Sequence, residues 1–330
     1  MNVKKHVFLI LKIIVSLSIL AFLFREADVG NVLSIILSMD FPLFLLAVFL
    51  QVVAQTVSTY RWSLFLPNAG IDMPFLRLVS LYYIGMFFNI FLPTVVGGDV
   101  VKVYYLYRLS GKGGNSMASV FLDRFTGFFA LVIIAFTSLL LGYKYVENTD
   151  VPFSVITLTV MFFLMALIIW NRSLHNWALL IISRIKMLGI NEKIESLYNA
   201  VMLYKGEPRV LLKAVGTSFV VQVLSVTTFY VISKGLGMKV PIGYFFIFVP
   251  IAVTISMLPI SLSGLGLREG AFVYLFTKVG ATDAQALTVS LVYFAAMVLL
   301  GLIGGIEYVR LGSAEKYPGF QASESQGVKE

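Results

Sequence analysis

The sequence predicts an all-α polytopic membrane protein, and three observations support this fold class. Hydrophobic residues make up 59% and charged residues 13% of the 330 positions, whereas soluble globular proteins contain roughly 45–50% apolar and about 25% charged residues. The mean hydropathy is +0.91. Several apolar runs approach the roughly 20 residues that a transmembrane helix needs. These runs are 7–24, 41–60, 117–142, 152–170, 211–233 and 284–306.

Two further apolar regions, 78–101 and 241–279, are interrupted by Pro, Gly and charged residues. Such interruptions are typical of broken helices within a membrane domain. The prediction is therefore about six full spans plus two re-entrant broken-helix hairpins, which makes eight apolar segments. Residues 1–311 are expected to form a single integral membrane domain. The tail 312–330, with Ser, Gln, Glu and Gly, is expected to be disordered in the cytoplasm.

The composition excludes several kinds of site. The chain has no Cys, so disulfides, thiol catalysis and Cys-ligated metals are excluded. His6 and His175, its two His residues, lie beside basic or amphipathic segments. We therefore expect no cofactor, no His-based metal site and no Ser/His/Asp triad. The net charge of +8 is distributed over loops, which favours anionic membrane lipids over nucleic acid as partners.

The first apolar run, 7–24, is interpreted as a retained span rather than a signal peptide. Lys4 and Lys5 precede it, and no small-residue cleavage site follows it. Cytoplasmic loops carry the excess of Lys and Arg. Loop 25–40 has one Arg and three acidic residues, whereas loop 171–210 is rich in Lys and Arg. The prediction is a multi-pass protein of the cytoplasmic (inner) cell membrane with both termini in the cytoplasm.

The two interrupted regions differ in how firmly their path is predicted. Basic residues flank region 78–101 on the predicted cytoplasmic side, so this region would enter and return there, with its break near Pro93. Region 241–279 is compatible either with a hairpin from the opposite side or with two spans. The short apolar stretch before Lys278 favours the hairpin.

The same two regions share a spacing that predicts an inverted repeat. In both, a Gly follows the Pro by five residues and a basic residue follows it by nine. The residues are Pro93, Gly98 and Lys102 in the first region and Pro259, Gly264 and Arg268 in the second. Gln55 precedes the first Pro by 38 residues, and Gln222 precedes the second by 37. Two oppositely facing units of span, hairpin and span are a usual build of transporters. The alternative is a chance match between apolar segments.

Residues 172–210 contain apolar positions at helical spacing with Lys and Arg between them. These positions are Trp177, Leu180, Ile181, Ile185, Leu188, Ile194, Leu197 and Tyr198. The pattern predicts one or two amphipathic helices on the cytoplasmic lipid surface. A solvated helical linker is the alternative.

The first hairpin carries the main candidate residues, Gly97, Gly98, Asp99 and Lys102. Glycine lets a backbone or a ligand approach closely, and a broken helix leaves backbone N–H groups that bind anions. Lys102 would pair with Asp99 or face a phosphate. The alternative is a capping Asp beside a Lys that extends to the interface.

The second hairpin supplies Gly264, Gly266, Arg268 and Glu269. A charge at membrane depth costs roughly 3 kcal/mol or more, so these charges are expected to be paired or to line a wet cavity. If 241–260 spans the membrane fully, Arg268 is instead an ordinary charge in a cytoplasmic loop.

Asp123 and Arg124 lie just inside span 117–142. In the functional interpretation, Arg124 turns inward and completes an anion site with Lys102. The alternative is an interfacial pair with both charged groups in water.

Other polar groups near or within the spans are secondary candidates. Tyr60-Arg61-Trp62 is interpreted as an aromatic-belt anchor in preference to a headgroup contact. Gln55 and Gln222 are mid-span groups that would bond either a substrate or a neighbouring helix.

Taken together, these residues resemble the lysylphosphatidylglycerol synthase transmembrane-region family, also called the flippase-like domain family. This region is the membrane half of the bacterial multiple peptide resistance factor. The resemblance covers nearly the whole chain and depends on the order and spacing of its motifs. The motifs are Leu92-Pro93 through Gly97-Gly98-Asp99-x-x-Lys102, Asp123-Arg124 before Gly127, Leu258-Pro259 through Gly264-x-Gly266-x-Arg268-Glu269, and the Tyr60-Arg61-Trp62 border.

The resemblance implies re-entrant helices in the inner membrane. In the two-part proteins this region is taken to move aminoacylated phospholipid between leaflets. Lys102 stands where the family often has Arg, and Asp123 stands where it often has Glu. Lys cannot hold a phosphate bidentately. These 330 residues contain no synthetase domain, so synthase activity of this chain alone is not expected.

The sequence thus predicts a translocase for an anionic phospholipid or another lipid-phosphate. The predicted headgroup path contains Gly97, Gly98, Asp99, Lys102, Arg124 and Arg268. One alternative is a membrane-embedded transferase that uses a lipid-phosphate donor, with Asp99 or Asp123 as base or metal ligand. Another is an accessory or scaffolding subunit of a lipid or glycan synthesis pathway, beside a separate lipid-modifying enzyme.

Overall fold

The computed structural model describes residues 3–91, 97–145, 147, 150–174, 176–177, 190–256, 261 and 264–314. These residues are nearly all helical and contain no strand. The helices are α1 (Val3–Ala27), α2 (Val29–Leu37), α3 (Phe41–Ser63), α4 (Phe75–Phe91), α5 (Gly97–Ser110), α6 (Gly113–Gly142), α7 (Val151–Trp170), α8 (Ile190–Met202), α9 (Pro208–Gly235), α10 (Ile242–Ser256), α11 (Leu267–Thr277) and α12 (Asp283–Ala314).

The predicted fold class is confirmed. Helices α3, α6, α7, α9 and α12 are each long and apolar enough to cross a membrane. Helix α1 has 25 residues and contains the predicted first span. Helix α12 continues to Ala314, and residues 315–330 of the predicted tail lie outside the described part of the chain.

Both interrupted regions form pairs of short helices, as their Pro and Gly residues predict. Helices α4 and α5 have 17 and 14 residues, and α10 and α11 have 15 and 11. At 1.5 Å per residue these helices are roughly 16–26 Å long, shorter than the ~30 Å hydrocarbon core. The members of each pair pack against each other. Pro93 and Pro259 fall in 92–96 and 257–260, which lie outside the described residues.

The packing of the helices follows the predicted repeat. Helices α3 and α9, which lead into the two hairpins, pack against each other. Helix α4 packs on α12, and its counterpart α10 packs on α6. Likewise α5 packs on α6, and α11 packs on α12. Exchanging α3–α6 for α9–α12 therefore maps the α3–α9 contact onto itself and the other contacts onto one another, as a twofold repeat requires.

Small residues set the closest of these approaches. A Cβ atom at Gly304 of α12 would lie 1.9 Å from the carbonyl oxygen of Tyr83 in α4. Nearby, Gly301 faces Ile90 of α4. Ala135 lies where α6 meets α10. An offset of 166 residues separates Ala135 from Gly301, and the same offset separates the two Pro residues of the hairpins. A small residue thus stands at the matching position of each unit, and at Gly301 and Gly304 it allows close helix contact.

Helix α8 differs from its prediction in what covers its apolar face. Tyr198 and Val201 are buried, and the helix packs against α6. Tyr204, just after α8, donates from its hydroxyl to the carbonyl oxygen of Phe65 at 2.5 Å, and burial raises the pKa of Tyr204 to about 12. This part of the face is therefore covered by protein rather than by lipid. Trp177 is exposed, and residues 178–189 lie outside the described part of the chain.

The close contact of α12 with α4 predicts a stability effect. Gly304→Ala would place a methyl group against the Tyr83 carbonyl, so either the helices separate or the backbone shifts. We expect a loss of about 1–3 kcal/mol, as in other overpacked interiors, measured by thermal unfolding of the purified protein in detergent.

Gly216→Ala is the matched control, because a Cβ atom there meets nothing within 4 Å. Its exposed position in α9 should yield a gain of up to about 1 kcal/mol from helix propensity. Equal stability of the two variants would contradict the α4–α12 packing.

Candidate functional site: a cation-lined cavity

A cavity lies where the two repeated units meet. Its volume is about 210 Å³, somewhat below the roughly 300–1,000 Å³ of pockets that hold drug-sized ligands. Helices α3–α6 of the first unit and α9, α10 and α12 of the second contribute to its wall. The lining residues are Gln55, Ser58, Arg61, Tyr82, Gly85, Met86, Asn89, Lys102, Arg124, Gly127, Phe128, Leu131, Val221, Gln222, Val253 and Met297.

Lys102 reaches this wall from α5 and is almost completely buried. Its Nζ lies 3.0 Å from Asp99 Oδ1 and 3.8 Å from Asp123 Oδ2. The same nitrogen lies 4.4 Å from the centre of the Tyr82 ring and 5.3 Å from that of Trp62. Two carboxylates and two aromatic faces therefore stabilise the ammonium group. The alternative of a Lys extending to the interface does not describe this residue.

The position of Arg61 differs most from the site predicted from the sequence. Its Nε donates to Asp123 Oδ1 at 2.7 Å, and its Nη1 donates to Ser218 Oγ at 3.1 Å. Trp62 is fully buried, and its indole N–H donates to Ser119 Oγ at 3.3 Å. The aromatic-belt interpretation is therefore wrong for Arg61 and Trp62, which turn towards α6 and α9 rather than towards the interface.

Arg124 lines the cavity and is directed at Asp99. Its Nε donates to Asp99 Oδ2 at 2.6 Å. Its side chain is 38% exposed, whereas that of Lys102 is 3% exposed. The bond to Asp99 uses Nε rather than the fork of terminal nitrogens that grips carboxylates and phosphates bidentately. Arg124 is thus the most accessible of the three cations at the cavity.

These charged residues form what we call the first cluster: Arg61, Asp99, Lys102, Asp123 and Arg124. All three cations line the cavity, while neither carboxylate is among the described residues that line it. The carboxylates instead lie behind the cations and pair with them. Three positive and two negative groups leave one positive charge in excess. The cavity therefore presents a positively charged wall.

The glycines of the first hairpin serve packing more than ligand contact. A Cβ atom at Gly98 would lie 1.8 Å from the carbonyl oxygen of Gly85 in α4. The Gly98 N–H donates to Asn89 Oδ1 at 2.8 Å, so this predicted anion donor is occupied. Gly97 is also buried at the start of α5. Gly98 brings α5 close enough to α4 to place Lys102 at the cavity wall.

The second hairpin forms a second cluster around Arg268 and Glu269. The Nη2 and Nε atoms of Arg268 lie 2.5 and 3.1 Å from Glu269 Oε1, and Nε also donates to Ser290 Oγ at 2.9 Å. Glu269 Oε2 accepts from the Gly266 N–H at 2.7 Å and so closes the start of α11. Gly264 and Gly266 have φ values of +80° and +85°, which favour glycine. Arg268 is buried, so the interpretation as an ordinary loop charge is wrong.

None of the four predicted residues of the second hairpin is among the described residues that line the cavity. A series of side-chain contacts instead links the second cluster to the cavity. The Arg268 guanidinium lies 5.8 Å from the Tyr293 ring centre. Gln51 Nε2 donates to the Tyr293 hydroxyl at 2.9 Å and lies 3.0 Å from Met297 Sδ. Met297 lines the cavity, so Gln51, Tyr293 and Met297 lie between the second cluster and the cavity.

Residues 9–305 match the family described as "Lysylphosphatidylglycerol synthase TM region". The chain belongs to this family. A UPF0104 membrane protein of Pyrococcus horikoshii is 24% identical over 318 residues, which cover 90% of this chain and 95% of the relative. A UPF0104 membrane protein of Methanothermobacter thermautotrophicus is 28% identical over 286 residues, covering 78% of this chain and 81% of the relative. These similarities extend over both repeated units and agree with an integral membrane protein.

In this family member, both predicted mid-span amides lie on the cavity wall. Gln55 and Gln222 line it from α3 and α9, and Gln222 Nε2 donates to the Gly127 carbonyl oxygen at 3.1 Å. Sequence reasoning missed Gln51 and Asn89. Each is an isolated amide within an apolar run, which is the same signal that identified the other two.

Among the described residues, no three His, Asp or Glu side chains converge as metal ligands.

The buried pair of Arg61 and Asp123 predicts a large stability effect. Asp123→Ala leaves the guanidinium buried without its carboxylate. We expect a loss of about 3–5 kcal/mol, as when other buried pairs lose one partner, measured by chemical unfolding in detergent.

Arg310→Ala serves as the comparison, because Arg310 pairs with Glu307 at 3.4 Å while its own side chain is 78% exposed. Its loss should change stability by no more than about 1 kcal/mol. A small loss of stability in Asp123→Ala would show that another group compensates the buried charge of Arg61.

Proposed function

We propose that the protein moves an anionic, phosphate-bearing lipid between the two leaflets of the membrane. The observation that carries this proposal is the layering of the first cluster, with three cations at the cavity wall and their carboxylates behind them. Buried cations with one positive charge in excess favour an anion in the cavity. A phosphate group fits this charge and the donors of Lys102 and Arg124.

The remaining wall suits an amphiphile. Apolar side chains such as Phe128, Leu131 and Val253 share the lining with Gln55 and Gln222. A lipid headgroup with attached acyl or prenyl chains presents the same mixture of polar and apolar surface. Because residues of both repeated units form the wall, movement of one unit against the other would change the side from which the cavity opens.

The family description supports a lipid as the substrate, since it names the membrane region of a lipid synthase. The transferase hypothesis receives less support from the geometry. Asp99 and Asp123, its candidate bases, are held behind Lys102, Arg61 and Arg124. A general base must reach the proton that it removes, and these carboxylates are directed at cations instead.

Variants of the cavity cations test the translocation proposal. Lys102→Gln and Arg124→Gln should each slow movement of a fluorescent anionic phospholipid in reconstituted vesicles by roughly tenfold or more, because each removes about one charge from the headgroup site. Lys213→Gln, at an exposed position of α9, should move lipid like the wild type. Translocation is measured by dithionite bleaching of the outer leaflet.

The proposal fails if the wild type moves no more lipid than protein-free vesicles, or if both cavity variants match the wild type. Recovery of a covalently altered lipid from the vesicles would support the transferase instead.

We further propose that both termini face the cytoplasm, on the basis of the Lys and Arg distribution. The absence of Cys allows single cysteines to report topology. A membrane-impermeant maleimide should label Glu207→Cys only from the cytoplasmic side and Thr282→Cys only from the opposite side. Labelling of both positions from one side would contradict the assigned order of spans.

A further inference from the structure

The first cluster is balanced so that a single positive charge remains. Arg61 has Asp123 as its close partner, at 2.7 Å. Asp99 serves the other two cations, with Arg124 Nε at 2.6 Å from Oδ2 and Lys102 Nζ at 3.0 Å from Oδ1. One carboxylate is thus shared between two cations. Because Asp99 is shared by two cations, one positive charge of the cluster has no carboxylate of its own.

We propose that Asp99 determines which lipid the cavity accepts, by limiting its excess charge to one. A lipid phosphodiester carries one negative charge and makes the filled cavity neutral. A lipid phosphomonoester carries close to two negative charges above a pH of about 7 and would leave a buried negative charge uncompensated. This proposal rests on the proposed lipid site and adds the class of headgroup.

Asp99, rather than Asp123, is placed to have this effect. Asp123 is fully buried and is bound to Arg61. Asp99 holds Arg124, whose side chain is the accessible one of the three cations. The charge that Asp99 neutralises is therefore the charge that an incoming headgroup meets first.

Two neighbouring ion pairs are balanced within themselves. On α12, which packs against α4, Glu307 and Arg310 form their own pair, and Glu307 also accepts from Ser80 Oγ at 2.9 Å. In the second cluster, Arg268 is neutralised by Glu269. The excess of one positive charge thus belongs to the first cluster.

The polar wall is compatible with a phosphodiester headgroup. Gln55, Ser58, Asn89 and Gln222 line the cavity together with Arg124. A phosphodiester carries a second alcohol beyond its phosphate, and amide and hydroxyl groups can bind the polar groups of this alcohol. The preference between the two classes of lipid rests on charge alone.

The test compares two short-chain lipids that differ in this charge. The full-length protein in detergent is titrated at pH 8 with dioctanoyl phosphatidylglycerol, a phosphodiester, and with dioctanoyl phosphatidic acid, a phosphomonoester. Binding is measured by isothermal titration calorimetry. The wild type should bind the phosphodiester on the order of tenfold more tightly.

Asp99→Asn raises the excess to two positive charges, so the preference should disappear or reverse. Asp99→Glu retains the charge and should retain the preference. The double variant Asp99→Asn with Lys102→Gln returns the excess to one, and it should regain the preference at a lower affinity for both lipids. If Asp99 served only to hold the helices together, the double variant would not regain the preference for the phosphodiester.

The possible failures are distinguishable. If the wild type binds neither lipid, the lipid site itself is wrong, and the proposed function fails with it. If it binds both without preferring the phosphodiester, or if Asp99→Asn leaves the preference unchanged, the role of Asp99 is overturned while the lipid site remains.

If Asp99→Asn does not fold, Lys102→Gln provides the same test, because it lowers the excess charge to zero. That variant should then bind zwitterionic dioctanoyl phosphatidylcholine at least as tightly as anionic dioctanoyl phosphatidylglycerol. A continued preference for phosphatidylglycerol would overturn the proposal.

Discussion

The structure depends on keeping charged groups compensated inside a chain that is otherwise apolar. Five charged side chains from three helices meet in the first cluster, and each cation lies within 3.0 Å of a carboxylate oxygen. A charge left alone in hydrocarbon costs several kcal/mol. The ion pairs therefore require α3, α5 and α6 to keep their relative positions, and the cavity is the space that this arrangement leaves open beside the cations.

Close helix contact makes this compensation possible. The Lys102 side chain lies against Gly85 and the Tyr82 ring because α5 approaches α4 at the Gly85–Gly98 contact, where a Cβ atom on Gly98 would collide with backbone. On the other face of α4, Gly304 of α12 makes an equally close contact. Without side chains at these points, the helices approach to distances at which dispersion and short polar contacts act.

Hydropathy and the Pro, Gly and basic spacing predicted the spans, the two helix breaks and the repeat, because these features depend on local sequence. The partners of the charged residues were not predictable in the same way. Arg61 and Trp62 at the end of a span form the same pattern whether they face lipid or protein, and only the position of Asp123 on a neighbouring helix decides between the two. Leu197 in α8 was misjudged for the same reason, since it packs against a cluster that includes Ala118 and Leu122 of α6.

The two clusters occupy matching places in the repeat but differ in what they offer an anion. Lys102 and Arg268 both lie nine residues after the Pro of their hairpin. Arg268 has a neighbouring carboxylate, a hydroxyl partner and two aromatic rings within 6 Å, so an anion would have to displace well-formed contacts. Arg124 at the first cluster has one bond through Nε and an accessible side chain. Under the proposed function, an incoming phosphate would therefore gain more at the first cluster, and this half of the repeat would be the binding half in the present conformation.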